Sequence, residues 1–146
     1  MKDRYLRFTG LLVDITRKIN RATSEALSVF GVKRSYAYPI YLLYRNGPLT
    51  AARLCRLCGE DKANVSRTLK SLEEDFLVVK EKRGNSHVRF MLTEDGIKLG
   101  KYLCDRVSDA VDITASGISE DDIDVMYRTL EGISTNLSSL LGESDA

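Results

Sequence analysis

Within about forty residues, from Thr50 to Arg89, the pattern of this chain changes from helical to extended, and few folds accommodate that order. Leu49-Thr50-Ala51-Ala52-Arg53-Leu54-Cys55 reads as a first short helix, with Thr50 as its N-cap and Leu49, Ala52 and Cys55 near one face. Gly59 then supplies a sharp turn. Asp61 is placed to cap a second helix, whose Val65, Leu69 and Leu72 repeat at helical spacing and must face a core. Two strand patterns follow, Leu77 to Arg83 and Val88 to Leu92. Between them, Gly84-Asn85-Ser86 tolerates the positive φ of a tight hairpin.

The face of the second helix turned away from that core reads Lys62, Asn64, Ser66, Arg67, Lys70 and Ser71. These are cations and short hydrogen-bonding side chains, the types that reach phosphates and base edges. The hairpin adds a basic rim of Lys82, Arg83 and Arg89. The combination describes a winged helix-turn-helix with a surface for double-stranded DNA. Asn64 is expected to read a base, adenine by the match of its amide, and Arg67 to read guanine or clamp a phosphate. Lys62, Lys70 and Arg83 are expected at phosphates or in the minor groove.

Charge divides along the chain in the same sense. Residues 1–104 hold 20 basic and 11 acidic side chains, and residues 105–146 hold 2 and 10, although the whole chain is only +1. The first two thirds suit a polyanion and the tail lies away from it. At 146 residues and 43% hydrophobic composition a single domain is expected. No apolar run approaches a membrane span, and Met1-Lys2-Asp3-Arg4-Tyr5 lacks the core of a signal peptide, so the protein is expected in the cytoplasm. Three cysteines in such a chain suggest reduced thiols rather than a disulfide framework.

Helical patterns flank this central segment. Tyr5, Phe8, Leu11, Leu12, Ile15, Ile19, Ala22 and Ala26 predict one long helix ending near Phe30-Gly31. A second runs from about Arg34 to Arg45 with Ile40, Leu43 and Tyr44 inward, and Pro39 should kink or delay it. Thr93 caps a helix carrying Ile97, Leu99, Leu103, Val107 and Val111. Ser119, with Asp122 three residues on, caps the last one. The fold class expected is mainly α with a small β-hairpin: a winged helix-turn-helix lobe over 34–96, and a helical dimerisation region from 1–33 and 97–146. Too much is apolar at the two chain ends for one small domain to bury. Tyr5, Phe8, Leu11, Ile133, Leu137 and Leu140 would suit a two-fold homodimer.

In this order of elements the chain resembles the MarR family of transcriptional regulators over nearly its full length. The match rests on Leu49-Thr50, Leu54-Cys55, Gly59, Asp61-Lys62, Val65-Ser66-Arg67, Leu69, Leu72-Glu73, Leu77-Val78 and Leu92-Thr93-Glu94-Asp95-Gly96. The resemblance implies a triangular homodimer that binds pseudo-palindromic operator DNA and usually represses. It also implies release of DNA when a small aromatic or phenolic effector fills a pocket between the dimer region and the DNA-binding lobe. Two departures from the family stand out. Gly84, Asn85 and Ser86 replace the usual Asp-Arg pair of the wing, which leaves Arg83 as the residue chosen for the minor groove. Phe76 replaces the usual glycine after the recognition helix, and since a side chain there is costly in the left-handed conformation, the helix is expected to end differently.

Other constellations carry less. Cys55 and Cys58 have dithiol spacing, and a thiol-based redox-sensing regulator is one alternative reading; a winged-helix module for protein–protein interaction is another. With one histidine, His87, no metal site or cofactor is expected, nor is an enzyme, because no nucleophile and acid accompany it. Tyr36, Tyr38, Tyr41 and Tyr44 crowd the second helix. Tyr36 and Tyr38, with Arg17 and Arg21 of the first helix, form the candidate effector site, aromatic walls and a partner for a carboxylate.

Overall fold

A computed structural model describes residues 2–82 and 87–142. The helix α1 spans Lys2–Ser28 and is followed by a 3₁₀ turn, Arg34–Tyr36, which leads into α2, Ala37–Asn46. Pro39 lies in the first turn of α2, where its missing N–H has no intrahelical partner to lose, so the proline delays the helix rather than kinking it. Next come β1 (Leu49–Thr50), α3 (Ala51–Cys58), α4 (Lys62–Glu74), β2 (Val78–Glu81) and β3 (Arg89–Leu92). The chain ends in α5 (Glu94–Thr114) and α6 (Glu120–Leu141). No helix among the described residues is long and apolar enough to cross a membrane.

The helix begins after its expected cap, Thr50, but Leu49, expected on the face of that helix, is corrected. Leu49 and Thr50 form a short strand, giving a three-stranded antiparallel sheet in the order β1-β3-β2, with Leu49 opposite Phe90 and Thr50 opposite Arg89. Two residues have no extended preference worth the name, so β1 exists only because β3 offers a ladder to pair with. The face of α3 is corrected with it. Leu54 is its fully buried residue, Cys55 is half-buried, and Ala52 faces solvent.

The chain divides into two compact units, Met1–Arg106 and Val107–Ala146, with α5 running from one into the other. The core of the first unit gathers Leu27, Tyr36, Ile40, Leu43, Leu54, Val65, Leu69, Leu72, Phe90, Leu99 and Leu103. All three inward residues expected of α4 are there, as are Ile40 and Leu43 of α2. Phe30 and Tyr102 pack with ring centroids 4.8 Å apart. Gly96 is required at its position, because a β-carbon there would come within 2.1 Å of the Leu77 carbonyl oxygen. The second unit is helical throughout its described residues, and nothing on α6 is buried. Its first turn is capped as expected: the Ser119 hydroxyl accepts from the Asp122 N–H at 3.2 Å and donates to the Asp122 carboxylate at 2.7 Å.

A candidate nucleic-acid interface on helix α4

Helix α4 is fixed at both ends by its own sequence. At the start, Asp61 Oδ1 accepts from the Asn64 N–H at 2.8 Å. Before it, the left-handed Gly59 (φ 62°) ends α3 and turns the chain, while Thr50 caps α3 through the Arg53 N–H at 3.2 Å. At the far end the N–H of Leu77 donates to the Leu72 carbonyl at 2.9 Å and that of Phe76 to the Glu73 carbonyl at 3.1 Å, the two bonds of a Schellman motif. Phe76 itself holds φ at 56°. The expectation that this helix would end differently because Phe76 is not glycine is therefore corrected. The turn is instead over-determined by Thr93, whose hydroxyl donates to the Phe76 carbonyl at 2.7 Å and whose N–H donates to that of Leu77 at 3.1 Å.

With Val65, Leu69 and Leu72 turned inward, Lys62, Asn64, Ser66, Arg67 and Lys70 all face solvent. Lys70 lies one helical turn on from both Ser66 and Arg67, four and three residues away. Their partners differ. Lys70 reaches Glu74 at 3.8 Å, a loose exposed pair that a phosphate could displace at little cost. Asn64 accepts from Arg67 at 3.1 Å through its oxygen and donates to Glu60 at 3.1 Å through its nitrogen. Glu60 was absent from the sequence-derived set, although its position four residues before Asn64 is the spacing at which side chains of a first turn meet.

Ser71 departs from the expected outward row. It is half-buried and its hydroxyl lies at that of Tyr36. Tyr36 is completely buried and donates to Asp75 Oδ2 at 2.6 Å. Burial, with the Asp75 carboxylate beside it, pushes the Tyr36 hydroxyl up to about 12. On the sheet, Lys82 and Arg89 are exposed, Arg89 standing opposite both Thr50 and Glu81. Arg83 and the turn Gly84-Asn85-Ser86 lie outside the described residues. Between α4 and the sheet runs an open groove of about 620 Å³, lined in part by Ser66, Lys70, Glu73, Lys80 and Phe90. Lys80 crosses it, paired with Glu73 at 2.8 Å and 5.7 Å from the centre of the Phe90 ring.

The residues considered for an effector are largely engaged elsewhere. Arg17 pairs with Asp14 at 2.7 Å and Arg21 with Glu25 at 2.8 Å, each within α1. The Tyr36 hydroxyl is used by Asp75, while Tyr38 is half-exposed and stacks on Tyr41, centroids 6.5 Å apart. Cys55, Cys58 and Cys104 are free thiols. Burial, aided by Glu60 and Cys55, pushes the Cys58 thiol up to about 11, which keeps it protonated and poorly nucleophilic near neutral pH. Burial raises Cys104 as well. Among the described residues no group of three or more His, Cys, Asp and Glu side chains is placed to hold a metal.

Comparison with known proteins agrees with this architecture. Residues 30–87, which contain α2 to β2, match the model of the MarR family. A search of curated protein sequences finds no match. Among solved structures, the Staphylococcus aureus MepR–DNA complex superposes with a TM-score of 0.83 at 19% identity, covering 91% of this chain and 98% of that one. A Listeria monocytogenes protein described as a MarR-family transcriptional regulator, solved with a 26mer DNA, gives 0.78 at 18% identity, covering 97% of each chain. A MarR family protein from Bacillus stearothermophilus gives 0.73 at 18%, covering 94% and 98%. By sequence, the winged-helix segment 30–87 is similar to the MarR family, and by fold nearly the whole chain is similar to solved structures of MarR-family transcription regulators.

Proposed function

We propose that this protein is a homodimeric, sequence-selective regulator that binds double-stranded DNA and represses the gene it covers. The observation that carries the reading is the outer face of α4, where Lys62, Asn64, Ser66, Arg67 and Lys70 all meet solvent on a helix pinned to its core by the opposite face. Such a helix enters the major groove, with Asn64 and Arg67 toward base edges and Lys62 and Lys70 toward phosphates. Lys82, Arg89 and, by position, Arg83 approach the backbone or minor groove from the wing. Two of the structurally similar proteins were solved with DNA, which supports the same use of the fold here.

The dimer follows from apolar surface. Tyr5 and Leu11 on α1, and Leu137 and Leu140 on α6, are exposed in the single chain, and Leu140 leaves 79% of itself in water. A second copy covers such faces, and a two-fold dimer presents two recognition helices about 34 Å apart to one side of B-DNA. An effector acts by preferring the dimer whose recognition helices are wrongly spaced. Of the two tyrosines of the candidate effector site, Tyr38, stacked on Tyr41 and half-exposed, is the one with aromatic surface in solvent to meet an effector.

Fluorescence anisotropy with the duplex upstream of the protein's own gene, against a scrambled duplex, tests the reading. Selective binding that weakens by about 10³-fold between 50 and 200 mM salt is expected for several phosphate contacts. Binding indifferent to salt and sequence would instead favour a winged-helix module for protein partners.

A further inference from the structure

An acid at the mouth of a surface meant for a polyanion needs a reason, since each carboxylate there repels phosphate. Glu60 is such an acid. It is exposed and precedes Asp61, the N-cap of α4. Its Oε2 accepts from Asn64 Nδ2 at 3.1 Å, and Asn64 Oδ1 accepts from Arg67 Nη2 at 3.1 Å. The backbone of Asn64 is held as well, by Asp61 at 2.8 Å. The three side chains form a line along the helix from its start to the middle of the proposed interface.

The chemistry of the line has one direction. Glu60 can only accept and Arg67 can only donate, so the amide between them must turn its NH₂ to the acid and its oxygen to the arginine. That contact uses one of the five N–H groups of the guanidinium, and a guanine edge, O6 with N7, needs two of the rest. A free arginine has many rotamers to give up on binding, and one held beforehand gives up fewer. We infer that Glu60 is a positioning residue for base recognition, holding the Asn64 amide and, through it, the Arg67 guanidinium in the orientation that reads a G·C pair. This rests on the proposed DNA reading of α4. The cost in phosphate repulsion is then offset by discrimination, because the same carboxylate weakens binding to every sequence while orienting the side chain that favours one.

Two substitutions separate charge from geometry. E60A removes both the charge and the acceptor, and E60Q removes the charge but keeps an acceptor within reach of Asn64. Wild type, E60Q, E60A and R67A are each used to enrich a randomised duplex pool, and their affinities for unenriched duplex are measured alongside. The expected result is a wild-type motif with one G·C pair whose preference falls about tenfold in R67A and in E60A and is kept in E60Q, while both Glu60 variants bind unenriched duplex more tightly. An unchanged preference in E60A, or a loss in E60Q as complete as in E60A, overturns the role of Glu60 and leaves the DNA reading standing. A wild type that enriches no sequence overturns the DNA reading, and the positioning role falls with it.

Discussion

Phe76 occupies a backbone conformation that costs a side-chain-bearing residue about 1–2 kcal/mol, and its ring is 79% exposed, so packing returns little. Neighbours hold it there: the Schellman bonds from Phe76 and Leu77, and the Thr93 hydroxyl on the Phe76 carbonyl. The preference of one residue was legible in the sequence, but the three bonds that overrule it come from positions up to 17 residues away. Phe76→Gly is expected to raise stability by about 0.5–1 kcal/mol, the relief of strain being partly offset by a freer unfolded chain. Urea midpoints of the two proteins check this, and a lowered midpoint would show that the ring packs against something. Asn64 and Arg67 were singled out by residue type, as side chains suited to a groove, and both are exposed. The acid that orients them was not singled out, because glutamate before a helix is ordinarily read as favouring the helix dipole.

Helix ends are written locally, and this is why Thr50, Asp61, Thr93 and Ser119 could all be placed as caps: each accepts from a backbone N–H three residues ahead. Strand β1 was not legible, since a two-residue strand is defined by its partner. Nor was the tie between elements made by Tyr36, which leaves the 3₁₀ turn before α2 and grips Asp75 at the end of α4. That tie fixes α4 at its C-terminal end and is sensitive to alkali. Tyr36 must stay neutral in its buried site. Its hydroxyl ionises near 10 in the unfolded chain and near about 12 when folded, so its contribution is complete below about pH 10 and is lost as pH rises toward 12. Tyr36→Phe is expected to cost about 0.5–1.5 kcal/mol at neutral pH and to flatten the alkaline decline. Urea denaturation of both proteins from neutral pH upward reads the difference, and parallel alkaline declines would count against the assignment.

Across the molecule, the charge division between residues 1–104 and 105–146 and the apolar stripes of the terminal helices were both visible in the sequence. What the stripes meet was not, because a helical period reports a buried face without naming its partner. In the structure α6 has no buried residue, and α1 leaves Tyr5, Leu6, Leu11, Val13 and Ile19 exposed. Introducing Glu at both Leu137 and Leu140 is expected to convert a dimer to a folded monomer in sedimentation velocity, with selective DNA binding lost together with the dimer. A monomeric wild type would contradict the assembly. The central claim is that the outer face of α4 reads DNA, and Arg67 tests it most directly, since its substitution touches no buried residue. Titration of wild type and Arg67→Ala against the upstream duplex and a scrambled one should show the variant weakened by about 1–3 kcal/mol on the first and much less on the second. Equal affinity of the two proteins for the upstream duplex would contradict the account.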